Sequence, residues 1–375
     1  MFHLRAFLHR ALPAAWQQRG WVARLLWPLS CLYAWIWRKQ QRRAAQHAHA
    51  PLSVPVLVIG NVIAGGAGKT PTCISVVQHF SRMGLRVGVL SRGYGRHPSA
   101  PACLSVNTAT PAEHAGDEPL LIHRHTGVPV VVCAQRLQAA RQLLHQHPDT
   151  QLLVCDDGLQ HLALPRTGEI CVMDERGIGN GWLLPAGPLR EPWPRAVDLV
   201  LFTEPPPAPV GARWPAMAAP PEHGDPIAGQ PAPTSVGQRP PTFTATRRLS
   251  PDAVRADGSG VPLADLQGQP LAAVAGIARP EAFFAMLRAT GLTLTRTLAL
   301  PDHYDFNSLQ RPPDQRETLI CTEKDALKLW RHAPAALAVP LVLDVPAAFF
   351  TALDGRLAAQ GYHPRHTTAP APRTP

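Results

Sequence analysis

The N-terminal part of this chain lacks acidic side chains, the first of which is Glu113. Thirteen Lys and Arg residues precede it, whereas the remainder of the chain carries 23 basic against 26 acidic residues. The formal net charge of +10 is therefore a property of the N-terminal part. Such an uneven distribution indicates an anionic partner, either nucleic acid or a membrane surface.

The apolar run in this basic region is too short to cross a membrane. Thirteen uncharged residues, interrupted by Pro28, lie between Arg24 and Arg38, whereas a spanning helix needs roughly 20. A cleaved signal peptide ends in small residues, but "RKQQRR" follows here. Because tryptophan and arginine favour the lipid headgroup region, we predict an amphipathic membrane-interface helix within residues 1–48. A helix packed on the protein's own core is the alternative, and the crowded aromatics disfavour a nucleic-acid arm.

Patterned cysteines are absent as well. Zinc sites and disulfide frameworks need close, regular spacing, but the seven cysteines form no C-x-x-C pair and fall mostly in predicted strands. We therefore predict buried thiols in a reducing compartment. The cysteines are Cys31, Cys73, Cys103, Cys133, Cys155, Cys171 and Cys321.

The stretch "VLVIGNVIAGGAGKTP" has the order of a strand, a glycine-rich turn and a helix. Residues 54–59 predict a buried parallel strand and residues 72–83 a helix. Glycines let backbone N–H groups approach an anion, Lys69 would reach the outer phosphates, and Thr70 would bind Mg²⁺. The predicted nucleotide-binding residues are Gly65, Gly66, Ala67, Gly68, Lys69 and Thr70. Because Ile63 replaces the usual glycine, the spacing resembles the G-G-x-G-K-T variant, and a purely structural turn is the alternative.

Two carboxylates follow a second predicted strand, 152–155, in the motif "DDGLQH". Carboxylates at the carboxyl end of a strand beside the phosphate-loop strand are where Mg²⁺ is held. Asp156 and Asp157 are therefore predicted to hold the metal together with Thr70. A turn without a function is the alternative.

Candidate proton acceptors lie in two further motifs. Phosphoryl transfer to a hydroxyl needs a carboxylate or imidazole that accepts the proton. "AGDEP" offers Asp117 and Glu118, and "LPDHYDF" offers His303. Taken alone, such residues are more often solvated turns. "LPAGPLREP" and "SRGYGR" add arginines in loops rich in proline or glycine, which suit an anionic substrate.

The motifs together resemble those of the tetraacyldisaccharide 4′-kinase family. "GNVIAGGAGKTP", "SRGYGR", "GDEP", "DDGLQH", "LPAGPLREP", "PDHYDF" and "TEKDALK" occur in the family's order between about residues 10 and 350. The resemblance implies transfer of the γ-phosphate of ATP to the 4′-hydroxyl of a tetraacylated glucosamine disaccharide 1-phosphate, which forms lipid IV-A.

The resemblance also implies roles for individual residues. Asp117 would be the catalytic base and would work with His303. The residues that would line the site are Tyr94, Glu118, Gln160, His161, Arg190 and Glu191. ATP and Mg²⁺ would be the cofactors, and the lipid acceptor and the inner-membrane surface the partners. We expect a peripheral or monotopic monomer at the cytoplasmic face of the inner membrane, without a nucleic-acid partner.

The predicted fold class is α/β, a P-loop kinase with a mostly parallel sheet, a second smaller α/β domain and the N-terminal helix. Lys69 and Asp117 would belong to the first domain and His303 to the second. The predicted segments are the helix (1–48), the P-loop domain (49–203), a Pro-rich linker or expanded loop (204–245), the C-terminal domain (246–362) and a disordered tail (363–375). An ATP-driven switch of the partition type and a non-catalytic membrane-binding module are alternative functions.

Overall fold

A computed structural model describes residues 16–46, 51–205, 240–307 and 317–362. The chain divides into two compact units. Unit 1 comprises Met1–Leu90, Gln135–Ala245 and Val345–Pro375, and unit 2 comprises Ser91–Ala134 and Thr246–Asp344.

The described helices and strands alternate along much of the chain. The helices are α1 (Trp21–Gln46), α2 (Lys69–Arg82), α3 (Ala112–Ala115), α4 (Asp117–Thr126), α5 (Arg136–Gln146), α6 (Pro280–Ala289), α7 (Glu323–Leu329) and α8 (Ala347–Ala359). The strands are β1 (Val56–Gly60), β2 (Val87–Ser91), β3 (Cys103–Val106), β4 (Val130–Cys133), β5 (Leu152–Asp156), β6 (Gly168–Met173), β7 (Leu199–Phe202), β8 (Thr242–Thr244), β9 (Thr246–Leu249), β10 (Asp252–Val254), β11 (Gly260–Pro262), β12 (Leu271–Ala275), β13 (Leu294–Ala299), β14 (Thr318–Thr322), β15 (Leu337–Val339) and β16 (Leu341–Asp344).

Unit 1 contains parallel strands in the order β2-β5-β1-β6-β7-β8. Strands β1, β2 and β5 are buried along their whole length, as is typical of parallel strands covered on both faces. In the register of β1 and β5, Ile59 pairs with Asp156. The segments that follow these two strands therefore begin at the same edge of the sheet.

Helix α1 packs on unit 1 through a narrow face. The Ser30 hydroxyl donates to the carbonyl of Leu183 at 2.8 Å, and the Tyr33 hydroxyl donates to the carbonyl of Arg190 at 2.7 Å. The rest of the helix presents large apolar side chains to solvent, namely Trp21, Leu25, Trp27, Leu29, Leu32, Trp35 and Ile36. None of the described helices combines the length and the apolarity that crossing a membrane requires.

Unit 2 is a separate α/β unit with a mixed sheet in the order β11-β10-β15-β14-β12-β13. Strand β12 is parallel to β13 and β14, and β14 is parallel to β15. Helix α6 covers this sheet with Phe283, Phe284 and Leu287. The two units together confirm the predicted α/β class with mostly parallel sheets.

The unit boundaries differ from the predicted domain boundaries. Residues 91–134, which the sequence assigns to the P-loop domain, belong to unit 2, so Asp117 lies in the same unit as His303. Helix α8 returns to unit 1, where Asp354 contacts the His79 ring nitrogen at 3.0 Å and Phe350 stacks on that ring. The sequence could not indicate these two crossings, because contacts between distant segments determine them. Most of the predicted linker and the whole predicted tail lie outside the described residues, but Thr242–Thr244 form β8.

The cysteine prediction needs a correction. Cys103 and Cys133 form a disulfide, because they lie directly opposite each other on the antiparallel strands β3 and β4. They lie 30 residues apart in the sequence, so no local pattern could have predicted that they pair. Cys31 is exposed, whereas Cys73, Cys155, Cys171 and Cys321 are buried thiols, as predicted. Burial raises the pKa of the Cys155 thiol to about 11.

Candidate active site

The glycine-rich loop leads directly into helix α2, which begins at Lys69. This is three residues earlier than the sequence predicts, so Lys69 and Thr70 lie in the first turn. Gly65 and Gly68 have positive φ angles of 95° and 86°, which favour glycine. The loop therefore places the helix N-terminus, with its unpaired N–H groups, where a phosphate can bind.

Asn61 connects the residues of this loop, and the sequence analysis missed it. Its side-chain oxygen accepts hydrogen bonds from the Lys69 ammonium at 3.2 Å and from the Arg190 guanidinium at 3.0 Å. Its side-chain nitrogen donates to the carbonyls of Ile63 at 2.9 Å and Gly65 at 3.1 Å. Asn61 is fully buried. An amide side chain directly after an apolar strand is the sequence signal that could have identified Asn61.

Asp157 lies beside the same cations. Its carboxylate accepts a hydrogen bond from Arg190 at 3.0 Å and lies 3.6 Å from the Lys69 nitrogen. Burial alone would raise the pKa of Asp157, but the charges of Lys69 and Arg190 outweigh it and lower that pKa below its ordinary value. The backbone of Asp157 is left-handed, with φ 50°. Asp157 is therefore an ionised carboxylate beside the phosphate loop.

The oxygen donors near the loop fit a magnesium ion. Thr70 offers a hydroxyl, and Asp156 and Asp157 offer carboxylates, which are the hard ligands that Mg²⁺ prefers. Within the ranges that the structure describes, no three His, Cys, Asp or Glu side chains form a cage for a metal. That result agrees with the usual habit of Mg²⁺, which takes one or two carboxylates and completes its shell with phosphate oxygens and water.

Gln160 contacts the backbone of Asn61, and Glu191 contacts Gln160. The Gln160 amide donates to the carbonyl of Asn61 at 2.9 Å and to the Glu191 carboxylate at 2.7 Å. Glu191 is buried and forms an ion pair with Arg195 at 3.1 Å. His161 faces elsewhere, because its ring nitrogen Nε2 accepts the backbone N–H of Arg136 at 3.0 Å. Of these predicted lining residues, Gln160 contacts the Asn61 carbonyl and Glu191 contacts Gln160, whereas His161 contacts the start of helix α5.

Arg176 also binds the loop and was missed in the sequence. Its guanidinium donates to the carbonyls of Ala64 at 3.2 Å and Gly66 at 3.1 Å. The fully buried Asp174 holds it by an ion pair of 2.6 Å. Arg176 therefore restrains two carbonyls of the loop, which favours loop N–H groups directed toward a ligand.

In unit 2, Asp117 is the first residue of helix α4 and is buried. It follows Gly116, whose φ of 88° and close approach to the Tyr94 carbonyl exclude a larger residue. The Nδ1 atom of His303 lies 3.1 Å from the Oδ2 atom of Asp117, and the Lys328 ammonium donates to the same oxygen at 2.7 Å. Burial acts to raise the pKa of Asp117, but His303 and Lys328 lower it below its ordinary value.

The backbone around His303 is fixed by the motif "TEKD". His303 has a left-handed φ of 62°, and its N–H donates to the carbonyl of Gly276 at 3.2 Å. The N–H of Gly276 donates in turn to the Asp325 carboxylate at 2.9 Å. Thr322 caps helix α7 by accepting the N–H of Asp325. The cap therefore determines the position of His303 as well as the start of the helix.

Other predicted residues lie around His303. The ring of Tyr94, an exposed side chain, lies 5.2 Å from the imidazole. Lys324 lies 3.4 Å from its Nε2 atom and pairs with Asp302 at 3.1 Å and Glu118 at 4.0 Å. Unit 2 therefore brings together Asp117, Glu118, Tyr94 and His303, four residues that the sequence singles out. Lys324 and Lys328 of "TEKDALK" join them without having been assigned a role.

Comparisons with known proteins identify relatives of this chain. A family model described as Tetraacyldisaccharide-1-P 4′-kinase matches residues 22–358. The chain is 52% identical over 354 residues to the tetraacyldisaccharide 4′-kinase of Acidovorax sp. (strain JS42), covering 94% of this chain and 96% of that protein. It is 53% identical over 358 residues to that of Verminephrobacter eiseniae (strain EF01-2), covering 93% and 75%. A crystal structure of Aquifex aeolicus LpxK in complex with ATP matches with a TM-score of 0.71 and 26% identity, covering 91% of this chain and 99% of that one.

Proposed function

The chain belongs to the tetraacyldisaccharide-1-P 4′-kinase family, and from that membership we propose which of its residues carry the reaction. The activity is transfer of the γ-phosphate of ATP to the 4′-hydroxyl of the lipid A precursor, a tetraacylated disaccharide 1-phosphate. An ATP-driven switch and a non-catalytic binding module are not favoured, because neither function phosphorylates a lipid.

We propose that the loop of unit 1 binds the phosphates of ATP. The N–H groups of the loop and the Lys69 ammonium donate to phosphate oxygens, and Arg190 adds a second positive charge. Positioning and charge neutralisation carry most of the catalysis in phosphoryl transfer. Mg²⁺, when bound, neutralises charge on the β- and γ-phosphates, and the donors that would hold it are Thr70, Asp156 and Asp157.

We propose that Asp117 accepts the proton of the 4′-hydroxyl. The hydroxyl oxygen forms a bond to the γ-phosphorus, the bond from that phosphorus to the bridging oxygen breaks, ADP leaves, and the proton passes to the Asp117 carboxylate. The observation that carries this assignment is the buried carboxylate of Asp117 with the imidazole of His303 3.1 Å away. His303 orients the carboxylate. Tyr94 and Glu118 are proposed to contact the acceptor.

A product assay tests these roles. Purified protein, Mg-ATP and the tetraacyl disaccharide phosphate are combined in detergent, and lipid products are separated. The expected result is a doubly phosphorylated lipid, with turnover reduced on the order of 10²–10⁴-fold in Asp117→Asn and by a comparable factor in Lys69→Ala. ATP loss without a lipid product would support the switch. Near-normal turnover of Asp117→Asn would reject its role as the base.

We further propose that α1 lies in the interface of the inner membrane at its cytoplasmic face, and that the protein acts there as a monomer. The acceptor's acyl chains remain in the bilayer, and the helix exposes 78% of Trp21 and 58% of Trp35 to solvent. Basic side chains are exposed at the end of the same helix, namely Arg38, Lys39, Arg42 and Arg43. Exposed tryptophans together with basic residues favour an anionic lipid surface.

Liposome flotation tests the placement of the helix. The double variant Trp27→Ser/Trp35→Ser should bind vesicles containing anionic lipid on the order of ten-fold more weakly, because two aromatic side chains no longer leave water. Leu298→Ser, an exposed leucine of unit 2, is the matched control and should float like the original protein. Equal flotation of all three proteins would contradict the interfacial helix.

A further inference from the structure

Lys328 contacts the proposed base more closely than any other described side chain. Its ammonium lies 2.7 Å from Oδ2 of Asp117 and 3.4 Å from the carbonyl of Tyr304. The lysine belongs to helix α7, four residues after Lys324, so both project from one face of the helix. Lys324 pairs with Asp302 and Glu118, which leaves Lys328 as the cation that hydrogen-bonds Asp117.

The two hydrogen bonds on Asp117 leave its carboxylate asymmetric. His303 and Lys328 both reach Oδ2, and no other side chain in the described ranges donates to Oδ1. When one oxygen of a carboxylate accepts two hydrogen bonds, the group can no longer rotate freely about the bond that joins it to the rest of the side chain. Its other oxygen is then the one available to an incoming hydroxyl. Asp117 is only 3% exposed, so solvent contributes little to holding this orientation.

We propose that Lys328 is a positioning residue for the kinase reaction, which keeps the Asp117 carboxylate ionised and turned so that Oδ1 receives the hydroxyl proton. This inference rests on the proposed function, in which Asp117 is the base. A buried carboxylate without a cation becomes protonated more readily and can then no longer accept a proton. His303 alone orients Oδ2 but carries a charge only when protonated, whereas the Lys328 ammonium brings a cation within 2.7 Å of the same oxygen.

Several charged groups besides Lys328 lie near Asp117 and also influence its protonation. Lys324 from α7 adds a second positive charge, and it opposes protonation of Asp117 together with Lys328. Asp325 of the same helix adds a nearby negative charge, and Glu118 follows Asp117 on α4. Because Lys324 makes no direct hydrogen bond to Asp117, removal of Lys328 removes the larger of the two cationic effects.

The experiment measures kcat/KM for the lipid acceptor against pH in full-length variants. Lys328→Met should move the acidic limb of the profile upward by about one pH unit or more, since an adjacent cation lowers a carboxylate pKa by about 1–3 units. Its kcat above the limb should fall on the order of ten-fold or more through loss of orientation, with KM for ATP unchanged. Lys328→Gln, which keeps a donor without the charge, should recover part of kcat but keep the shifted limb. Lys328→Arg should leave the limb in place.

A matched control separates this role from general loss of charge on the same surface. Arg331→Met removes a cation just beyond α7, where Arg331 is half-exposed and pairs with Glu113 at 3.0 Å, and it should leave the profile unchanged. An unmoved limb in Lys328→Met overturns the proposal, and if that variant does not fold, an unmoved limb in Lys328→Gln does so. Normal activity of Asp117→Asn would instead reject the proposed function itself, which keeps the two failures distinguishable.

Discussion

Replacement of Asn61 should weaken both the fold of the phosphate loop and the binding of ATP. This fully buried side chain donates to two loop carbonyls and accepts from Lys69 and Arg190. Asn61→Ala removes all four hydrogen bonds at once. Lys69 and Arg190 retain Asp157 as a partner, which partly compensates for the hydrogen bonds that they lose to Asn61.

The magnitude follows mainly from the buried carbonyl of Ile63, which loses its donor. The carbonyl oxygens of Ile63 and Gly65 lie 2.9 Å and 3.1 Å from the Asn61 nitrogen. Ile63 is buried, and a buried acceptor left without a partner costs about 1–3 kcal/mol, whereas Gly65 is exposed and water can replace its donor. We therefore expect Asn61→Ala to lower the free energy of unfolding by about 1–3 kcal/mol. ATP affinity should fall on the order of ten-fold, because Lys69 loses one of the two groups that hold it beside the loop.

Asn61→Asp distinguishes the loop effect from the charge effect. Aspartate keeps the size of the side chain. It replaces the amide nitrogen, which donates to two carbonyls, with an oxygen that can only accept. Its charge also competes with the phosphates for Lys69 and Arg190. We therefore expect ATP affinity to fall further in Asn61→Asp than in Asn61→Ala, even where the two variants are similarly stable.

Thermal unfolding with and without Mg-ATP measures both quantities. The Tm without nucleotide reports stability, and the increase in Tm with nucleotide reports binding, because a ligand that binds only the folded state stabilises it. Asn107→Ala is the matched control, since Asn107 is an exposed asparagine that bonds within its own turn. If Asn61→Ala matched this control in both measurements, the connecting role of Asn61 would be refuted.

Two further predictions concern unit 2. In a double-mutant cycle on kcat, Asp117→Ala and His303→Ala should lose much less together than the product of their separate losses, because groups that act as a unit are non-additive; fully multiplicative losses would mean that they act independently. Cys103→Ser, or a thiol reductant, should lower the free energy of unfolding by about 3–4 kcal/mol, the chain-entropy value for a loop of about 30 residues. The reductant should have no further effect on the Cys103→Ser variant, and a stability insensitive to reductant would contradict a formed disulfide.

The buried parallel strands were predictable because their sequences are continuous apolar runs. Strand β5 begins at the predicted residue, and β1 begins two residues later than predicted. The short strands β9, β10 and β11 were missed, since many of their side chains are exposed or half-buried. Their local sequence has no apolar run. Strand β9 pairs with the distant β16, and β10 pairs with its neighbour β11 and with the distant β15. Local pattern therefore finds strands with a continuous apolar run and fails for short strands that lack one.

The candidate site shows the same limit. The sequence indicates Lys69 because a strand, a glycine-rich turn and a helix follow one another within a short stretch. It indicates Asp157 because this carboxylate directly follows a second apolar strand. Lys328 and Arg176 were missed because they act across large separations, 211 residues to Asp117 and 112 residues to Ala64. No local spacing in the sequence signals such a contact. An isolated lysine or arginine in a sequence is usually a solvated surface residue, so only the fold reveals that these two bind the motifs.

The backbone at Asp157 and His303 connects the fold to the proposed chemistry. Both residues are left-handed, with φ of 50° and 62°, a conformation that aspartate and histidine tolerate but do not favour. Each is held there by bonds of its own, Asp157 by Arg190 and His303 by the carbonyl of Gly276. Phe306, a bulky residue for which a φ of 63° is more unusual, is buried three residues after His303. Burial of that ring can offset the strain in this segment. The fold therefore holds Asp157 through its side chain and His303 through its backbone before any substrate binds.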